Sequence, residues 1–391
     1  MKIAHIADPH LGIRQFHRQT GGGINQREAD VAAAFRAAID GVIAARPDAV
    51  VIAGDLFHSV RPTNAAIVFA FRQFQRLRDA LPDVPVVLIA GNHDTPRSSE
   101  TGSILGLFSE LGVDVAATES RRLRYPALDL SILAVPHVAL TGAERPSLRP
   151  EGSERHQVLV IHGEVEGVLP GERATLEYGG AVVTAAELAA GDWGYVAFGH
   201  YHVRHQLGPR AWYAGALDYV SPNLWGELRD EAERGVTGKG WLLVDLETGA
   251  ATAHAVAPVR RVLDLPPIQG EGLSAAALDA LITERVAAVE GGIADQVVRL
   301  VVHDVPRHVA RELDHTAIRA LKSDALHFHL DIRRPEIHRE TGVGAPGHRQ
   351  TLPEMVRAYL ARRPLPQAVD RERFVTVGAE LVESAEREPG A

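Results

Sequence analysis

Short apolar runs that stop at polar residues recur through the first 200 positions: KIAHIAD (2–8), AVVIAG (49–54), VPVVLIAG (84–91), LSILAVP (130–136), HQVLVIHG (156–163) and GYVAFGH (194–200). Each is rich in Val, Ile and Ala, as buried strands are. Amphipathic segments lie between them. Residues 27–45 carry Val31, Phe35, Ile39, Val42 and Ile43 at near-helical spacing, with Pro47 after them; residues 64–80 set Ile67, Phe71, Phe74 and Leu77 on one expected face. Strands alternating with helices predict a mostly parallel sheet here. From about 205 to 257 the pattern changes to strands and turns, with ETG at 247–249 as a hairpin turn.

Pro258 opens a second region. RRVLDLP reads as a strand, Ser274 as the cap of a helix carrying Leu278, Leu281, Ile282, Val286 and Val289, and Gly291–Gly292 as its stop. QVVRLVV (296–302), a short helix at 314–322 and ALHFHLDIRR (325–334) complete a small α/β module. A Gly/Pro-rich linker (341–350) precedes TLPE, a capping box at Thr351 and Glu354, and two amphipathic helices. The expected domains are 1–259, a cap at 260–340 and C-terminal helices at 351–385. A chain of 391 residues with 46% hydrophobic content has room for this.

The polar strand ends share one chemistry. The first leads into Asp8 and His10, the second into Asp55 and His58, the third into Asn92, His93 and Asp94, the fifth into His162 and the sixth into His200 and His202. Ligands bind at the carboxyl edge of an α/β sheet. If these strands are neighbours, carboxylates, imidazoles and a carboxamide converge. That donor set suits Mn²⁺, Fe²⁺ or Zn²⁺. Alternation at a strand end is expected to aim Asp8 and His10 the same way, and likewise His200 and His202. Asp55 could bridge two ions, and two ions about 3.5–4 Å apart can clamp a phosphate and acidify a water. Asp94 reads as a partner that orients His93. Taken singly, each motif is also compatible with a solvated turn or a hydrogen-bonded histidine.

The absence of cysteine excludes disulfides and thiolate metal sites. No apolar run approaches the roughly 18 residues of a membrane span. Lys2 leads straight into a strand, without the apolar core of a signal peptide. A cytoplasmic, nucleoid-associated protein is expected. The net charge of −9 argues against coating nucleic acid with the whole surface but leaves room for a local basic rim. Arg14, Arg18, Arg61, Arg97 and Arg204 follow the polar turns and are candidate phosphate-backbone contacts.

The series DPH, GDLFH, GNHD, HG and GHYH resembles the calcineurin-like metallophosphoesterase superfamily, whose pattern is D-x-H, G-D, G-N-H-[DE], H and G-H-x-H. ADPHLG, AGDLFHSVRPT and AGNHDTPR resemble the SbcD-type DNA-repair exonuclease subunits. The resemblance implies an α/β sandwich of two mixed sheets flanked by helices. It implies two divalent cations, Mn²⁺ first and Mg²⁺, Fe²⁺ or Zn²⁺ as alternatives. Asp8, His10, Asp55 and His202 would hold one, and Asp55, Asn92, His162 and His200 the other. His93 would stabilise the transition state or protonate the leaving oxygen, and His58 would act near the DNA in exonuclease activity. The C-terminal helices would bind an SbcC-type SMC-like ABC ATPase by a helix-in-groove mode. A homodimer within a heterotetramer is implied, with 64–80 and 101–111 as candidate interface helices.

The function expected is a metal-dependent DNA exonuclease/endonuclease subunit. Another metallophosphoesterase acting on small molecules, or a DNA-end-binding scaffold without catalysis, are the alternatives. The stretch 212–235 is longer than the family pattern leads one to expect.

Overall fold

Val, Ile and Ala dominate the central strands because both faces of these are covered. The computed structural model describes residues 1–96, 102–142, 144–167, 181–189, 191–335, 351–363, 365 and 369–387. It contains β1 (Lys2–Ile6), β2 (Ala49–Ile52), β3 (Val86–Ile89), β4 (Asp114–Ala116), β5 (Arg121–Tyr125), β6 (Leu130–Val135) and β7 (His156–His162). There follow a short pair β8 (Glu164–Val165) and β9 (Val182–Val183), then β10 (Tyr195–Gly199), β11 (His205–Gly208), β12 (Ala211–Tyr213), β13 (Gly240–Asp245) and β14 (Ala251–Ala255). One six-stranded sheet has the order β14-β13-β1-β2-β3-β4 and the other β11-β12-β10-β7-β6-β5. Both have parallel centres; the first is antiparallel at its β13–β14 side and parallel out to β4, and the second is antiparallel at both edges. The expected parallel sheet is therefore two mixed sheets.

Strand alternation divides the core. Ile3, Val51, Val87 and Ile89 from one sheet meet Ile132, Ala134, Val158, Val160 and Ala197 from the other. The opposite face of the first sheet, Ala4, Ile6, Val50, Ile52 and Leu88, is covered by α1 (Gln26–Ala45), α2 (Asn64–Ala80) and a 3₁₀ helix at Ile104–Leu111. Asn25 caps α1, and the helix buries Val31, Phe35, Ile39 and Val42. On α2 the buried line is Ala66, Ala70, Phe74 and Leu77. Ile67 and Phe71 flank it half-buried, so the larger apolar residues were an imperfect guide to the inward face. Two short helices, α3 (His137–Thr141) and α4 (Ala185–Ala189), sit on the second sheet's side of the chain.

His5 stands between the two sheets, its Nδ1 2.9 Å from Tyr195 Oη. Burial pulls its pKa from 6.5 down to about 3, so the folded protein keeps it neutral. The unfolded chain takes up this proton near pH 6.5, so the stability His5 contributes is present above that pH and is lost as pH falls toward 3. Between pH 7 and 5 the wild type should lose about 2 kcal/mol more stability than His5→Gln. Denaturant unfolding of the metal-free proteins at both pH values checks this, and identical losses would refute it.

The stretch 212–235 forms β12, a loop and α5 (Leu224–Glu233). Tyr219 and Leu224 pack on Val262, Val297 and Leu326 of the following module. That module is a parallel sheet of β15 (Val262–Gln269), β16 (Val297–His303) and β17 (His327–Ile332), with α6 (Ala275–Ala287), α7 (Arg307–Glu312) and α8 (His315–Asp324) around a core of its own. β15 runs on through Pro266 and Pro267, by a register irregularity between Leu265 and Ile268; an edge strand tolerates such prolines. Arg260 bonds Asp30 of α1 at 2.9 Å, and Met1–Arg333 forms one compact unit.

Arg334–Ala391 forms a second unit. The capping box is present, Thr351 N donating to Glu354 Oε2 at 2.8 Å, and opens α9 (Leu352–Arg362). α10 (Arg371–Arg387) crosses it closely at Gly378, where a Cβ would lie 2.2 Å from Leu360 Cδ1. The expected linker, 341–350, lies outside the described residues.

Candidate active site

The ligand candidates lie at or just past strand ends, and at four of them the backbone is strained. Asp8 (φ 51°), His10 (φ 46°), Asp55 (φ 50°) and His200 (φ 99°) all have positive φ. Non-glycine residues in this region cost on the order of 1–3 kcal/mol each and persist only where the surroundings hold them. Asp8 and His10 thus converge through left-handed turns, not through the strand alternation expected from sequence, because β1 has already ended at Ile6. Cross-strand bonds fix the turns: Asp8 N donates to Gly54 O at 3.2 Å, His10 N to Asp55 O at 2.9 Å, and His200 N to Asp8 Oδ1 at 2.9 Å. Glycine is required at two points of this rim. A Cβ at Gly54 would lie 2.3 Å from His162 Nδ1, and one at Gly91 would lie 2.1 Å from Asp55 Oδ1.

Asp8, His10, Asp55, Asn92, His162, His200 and His202 meet in one buried cluster, with His58 and His93 at its edge. His162 Nδ1 is 2.8 Å from Ala53 O. A carbonyl can only accept, so Nδ1 carries the proton and Nε2 presents a lone pair. That lone pair faces Asn92 Oδ1 at 2.9 Å and Asp55 Oδ2 at 3.3 Å. Asp55 Oδ2 is buried and accepts no hydrogen bond of normal geometry; His10 Nε2 faces it from 3.6 Å. His10 Nε2 in turn lies 3.1 Å from His202 Nε2, and His200 Nδ1 lies 3.1 Å from Asn92 Oδ1. Nitrogen and oxygen ligand atoms gathered this closely in a buried space suit a cation between them. The donor set of carboxylates, imidazoles and a carboxamide fits divalent cations.

Electrostatics agree. Burial alone would raise the Asp55 pKa, but His162, His10 and His93 hold it well below the usual carboxylate range. Burial opposes charge on His162 too, yet Asp55 and Asp8 hold its pKa up at about 9, so without a cation Nε2 carries a second proton toward Asp55 and presents its lone pair once a cation takes that proton's place. The pocket demands positive charge.

His93 and His58 form the outer edge. Their rings stack at 5.1 Å, and His58 Nδ1 is 3.2 Å from His10 Nδ1. His93 Nδ1 meets the His58 carbonyl at 2.8 Å, leaving Nε2 as its other ring donor or acceptor. Asp94, expected to orient His93, does something else. It accepts from the backbone N–H groups of Leu56, Phe57 and Gly91 at 3.0, 3.0 and 3.2 Å, stitching two rim turns together. Burial and the Asp55 charge push its pKa to about 7 against those donors.

Some site residues escaped the sequence reading. His137, whose ring is 6.4 Å from that of His162, follows the fourth apolar run, and burial lowers its pKa to about 4. The signal was there, since this run also ends beside a histidine. Glu164 Oε1 lies 3.3 Å from His200 Nε2, two residues past His162. Lys239 had no local signal. It is buried, donates to the His202 carbonyl at 3.0 Å and pairs with Glu227 at 2.7 Å and Glu231 at 2.9 Å. Burial would lower its pKa, but the two glutamates raise it.

The arginines are less uniform. Arg14 is exposed and bonds Glu28 at 3.1 Å; Arg61 is exposed; Arg204 is half-buried near Glu231. Arg18 bonds Asp295 and the Ser323 carbonyl of the cap module. Arg97 lies outside the described residues.

The family model described as calcineurin-like phosphoesterase matches residues 1–204, the segment that carries every ligand candidate. The chain belongs to the calcineurin-like phosphoesterases. Among curated relatives of this phosphoesterase are proteins named DNA double-strand break repair protein Mre11. That of Saccharolobus solfataricus is 29% identical over 212 residues, covering 53% of this chain and 51% of the relative. That of Sulfurisphaera tokodaii is 29% identical over 266 residues, covering 65% and 62%. That of Archaeoglobus fulgidus is 32% identical over 223 residues, covering 52% and 46%. The phosphoesterase thus spans about half to under two-thirds of these relatives' length, 51% and 62% in the first two. Among the described residues no helix is long and apolar enough to cross a membrane.

Proposed function

We propose that this phosphoesterase is the nuclease subunit of a DNA-repair complex and hydrolyses phosphodiester bonds with two divalent cations, Mn²⁺ foremost. The observation that carries the reading is the Asp55 carboxylate, buried with an unbonded oxygen between His10 Nε2 and His162 Nε2. Asp8, His10, Asp55 and His202 would hold one cation, and Asp55, Asn92, His162 and His200 the other. Bound there, the cations supply charge neutralisation for the phosphate and an acidified water. The chain's own residues do the rest. The Asp94 staple and the cross-strand bonds keep the donors in position before substrate arrives. His93, its Nδ1 held by the His58 carbonyl, offers Nε2 to the leaving oxygen or to the charge that develops on the phosphate. Arg14 and Arg61 hold the backbone at the rim, and the cap, 260–340, widens the DNA footprint.

The purified chain should bind about two Mn²⁺ and cut linear DNA, and EDTA should abolish both. Hydrolysis of a small diester with no DNA cleavage would replace this reading with that of a small-molecule phosphodiesterase. The Mre11 names of the relatives favour the DNA reading.

The helix pair α9–α10 is the docking segment for an SbcC-type ATPase. Leu352, Tyr359, Val377 and Leu381 are exposed on it, an apolar set that a groove would cover. Leu381→Asp should weaken co-purification with the ATPase by tenfold or more, while DNA cleavage by the isolated subunit stays intact. Val68 on α2 and Leu107 on the 3₁₀ helix are exposed beside the core and support homodimerisation there. Light scattering of the same preparation tests this, and a monomer at micromolar concentration would remove the pairing.

A further inference from the structure

A cavity of about 510 Å³ opens beside the cluster of candidate ligands, lined among others by Arg14, Phe16, His58, Trp225, His327 and His329. His58 belongs to the catalytic edge, but the remaining aromatic rings are not used by the mechanism. They come from three separate elements: the loop after β1, α5, and β17 of the cap. Phe16 and His327 stack face to face, with centroids 4.0 Å apart and planes 15° apart. His329 continues the stack at 6.1 Å and 24°.

Phe16 is held there at a cost. It sits at φ 61°, where a bulky aromatic residue is an outlier. Asn25 Nδ2 donates to the Phe16 carbonyl at 3.1 Å, and Gln15 Nε2 to the Ser221 carbonyl at 3.1 Å, so the strained loop is tied on both sides. Trp225 is oriented by Arg299, whose guanidinium lies 5.1 Å from the indole and is itself paired with Asp264. At the mouth, Arg14 keeps 63% of its side chain exposed.

We infer that this cavity is a subsite for the base of an unpaired nucleotide next to the scissile phosphate. A planar ring that joins the Phe16–His327–His329 stack beside Trp225 gains stacking of the kind that holds single-stranded nucleic acid without reading its sequence. The phosphate of the same nucleotide is then carried toward His58 and the metal cluster, with Arg14 near its charge. A duplex end must give up one base pair to enter. The site therefore favours frayed or single-stranded ends, and it joins the cap to the choice of substrate.

The inference rests on the nuclease reading, but its test does not need cleavage. The full chain is loaded with Mn²⁺ and given a short single-stranded oligonucleotide with phosphorothioate linkages. 2-Aminopurine is placed at one end and, in a second probe, at the other. Its emission should fall on binding at one of the two ends. An unlabelled competitor that is abasic at that end should bind about tenfold more weakly than the intact strand. In His327→Ala, and in His329→Ala where the replaced residue is exposed, the quench and the abasic penalty should both shrink. Each ratio is read within one protein, so a general loss of affinity cancels. Unchanged emission at both ends, or equal competition by abasic and intact strands in the wild type, overturns the subsite. So does a penalty that survives in both variants. A chain that cuts DNA yet shows no base-dependent binding sinks the subsite alone. A chain that quenches the probe yet cuts no DNA sinks the nuclease reading alone.

Discussion

On the proposed nuclease reading, His93→Ala should keep its metal and lose DNA cleavage by about 10²–10⁴-fold, the range for removing a positioned acid–base group. Metal is retained because the part of His93 that touches a ligand is backbone: its N–H donates to Asp55 Oδ1 at 2.9 Å, and alanine keeps that bond. Cleavage falls because the imidazole goes, and with it the ring that the His58 carbonyl orients. Metal content and DNA cleavage in Mn²⁺, measured on the same preparations, decide the matter. Unchanged cleavage removes His93 from the mechanism. Loss of metal would make it a ligand, grouped with His10 and His58, which offer nitrogens within reach of it.

The second large effect is on stability. Lys239→Met should destabilise the chain by about 3–5 kcal/mol, the usual consequence of stranding buried charge. Without the ammonium, Glu227 and Glu231 face each other in the interior, and the His202 carbonyl loses its donor. Glu227 also accepts from Ser221 N at 3.0 Å, and Glu231 from Tyr219 Oη at 2.8 Å, so the loop behind His202 loosens with it. Denaturant unfolding with and without Mn²⁺ is the measurement. A difference under about 1 kcal/mol would mean that the network is replaceable, as some buried ion pairs are. Metal affinity should fall together with stability, because the network supports a ligand's backbone.

What could be read from the sequence was whatever is local. Each strand and its polar exit lie within ten residues of one another, and Ser274 or Thr351 announces a helix start in place. The convergence of Asp8, Asp55, Asn92 and His200 followed from one rule about strand ends and one resemblance. What could not be read depends on partners far along the chain. Arg27 is fully buried against Asp218, 191 residues away, and nothing in either neighbourhood marks them as a pair. Lys239, Glu227 and Glu231 look like ordinary surface charges until α5, which carries both glutamates, packs them against Lys239. The role of 212–235 was hidden for the same reason: its residues pack on the cap, whose position no local pattern specifies. The inward face of α2 was misjudged because Ala66 and Ala70 carry it, and alanines give a weak apolar signal. His137 does carry a local signal, since its apolar run ends at a polar residue as the others do, but it belongs to none of the family's five motifs.

The crowding at Gly54 and Gly91 limits how such a chain can diversify. Even one added methyl at either position drives into His162 or Asp55, so backbone and ligand set can change only together. Descendants of this fold that acquire new preferences must do so from outside the rim, by altering the loop after β1, α5 or the cap strands that overlook it.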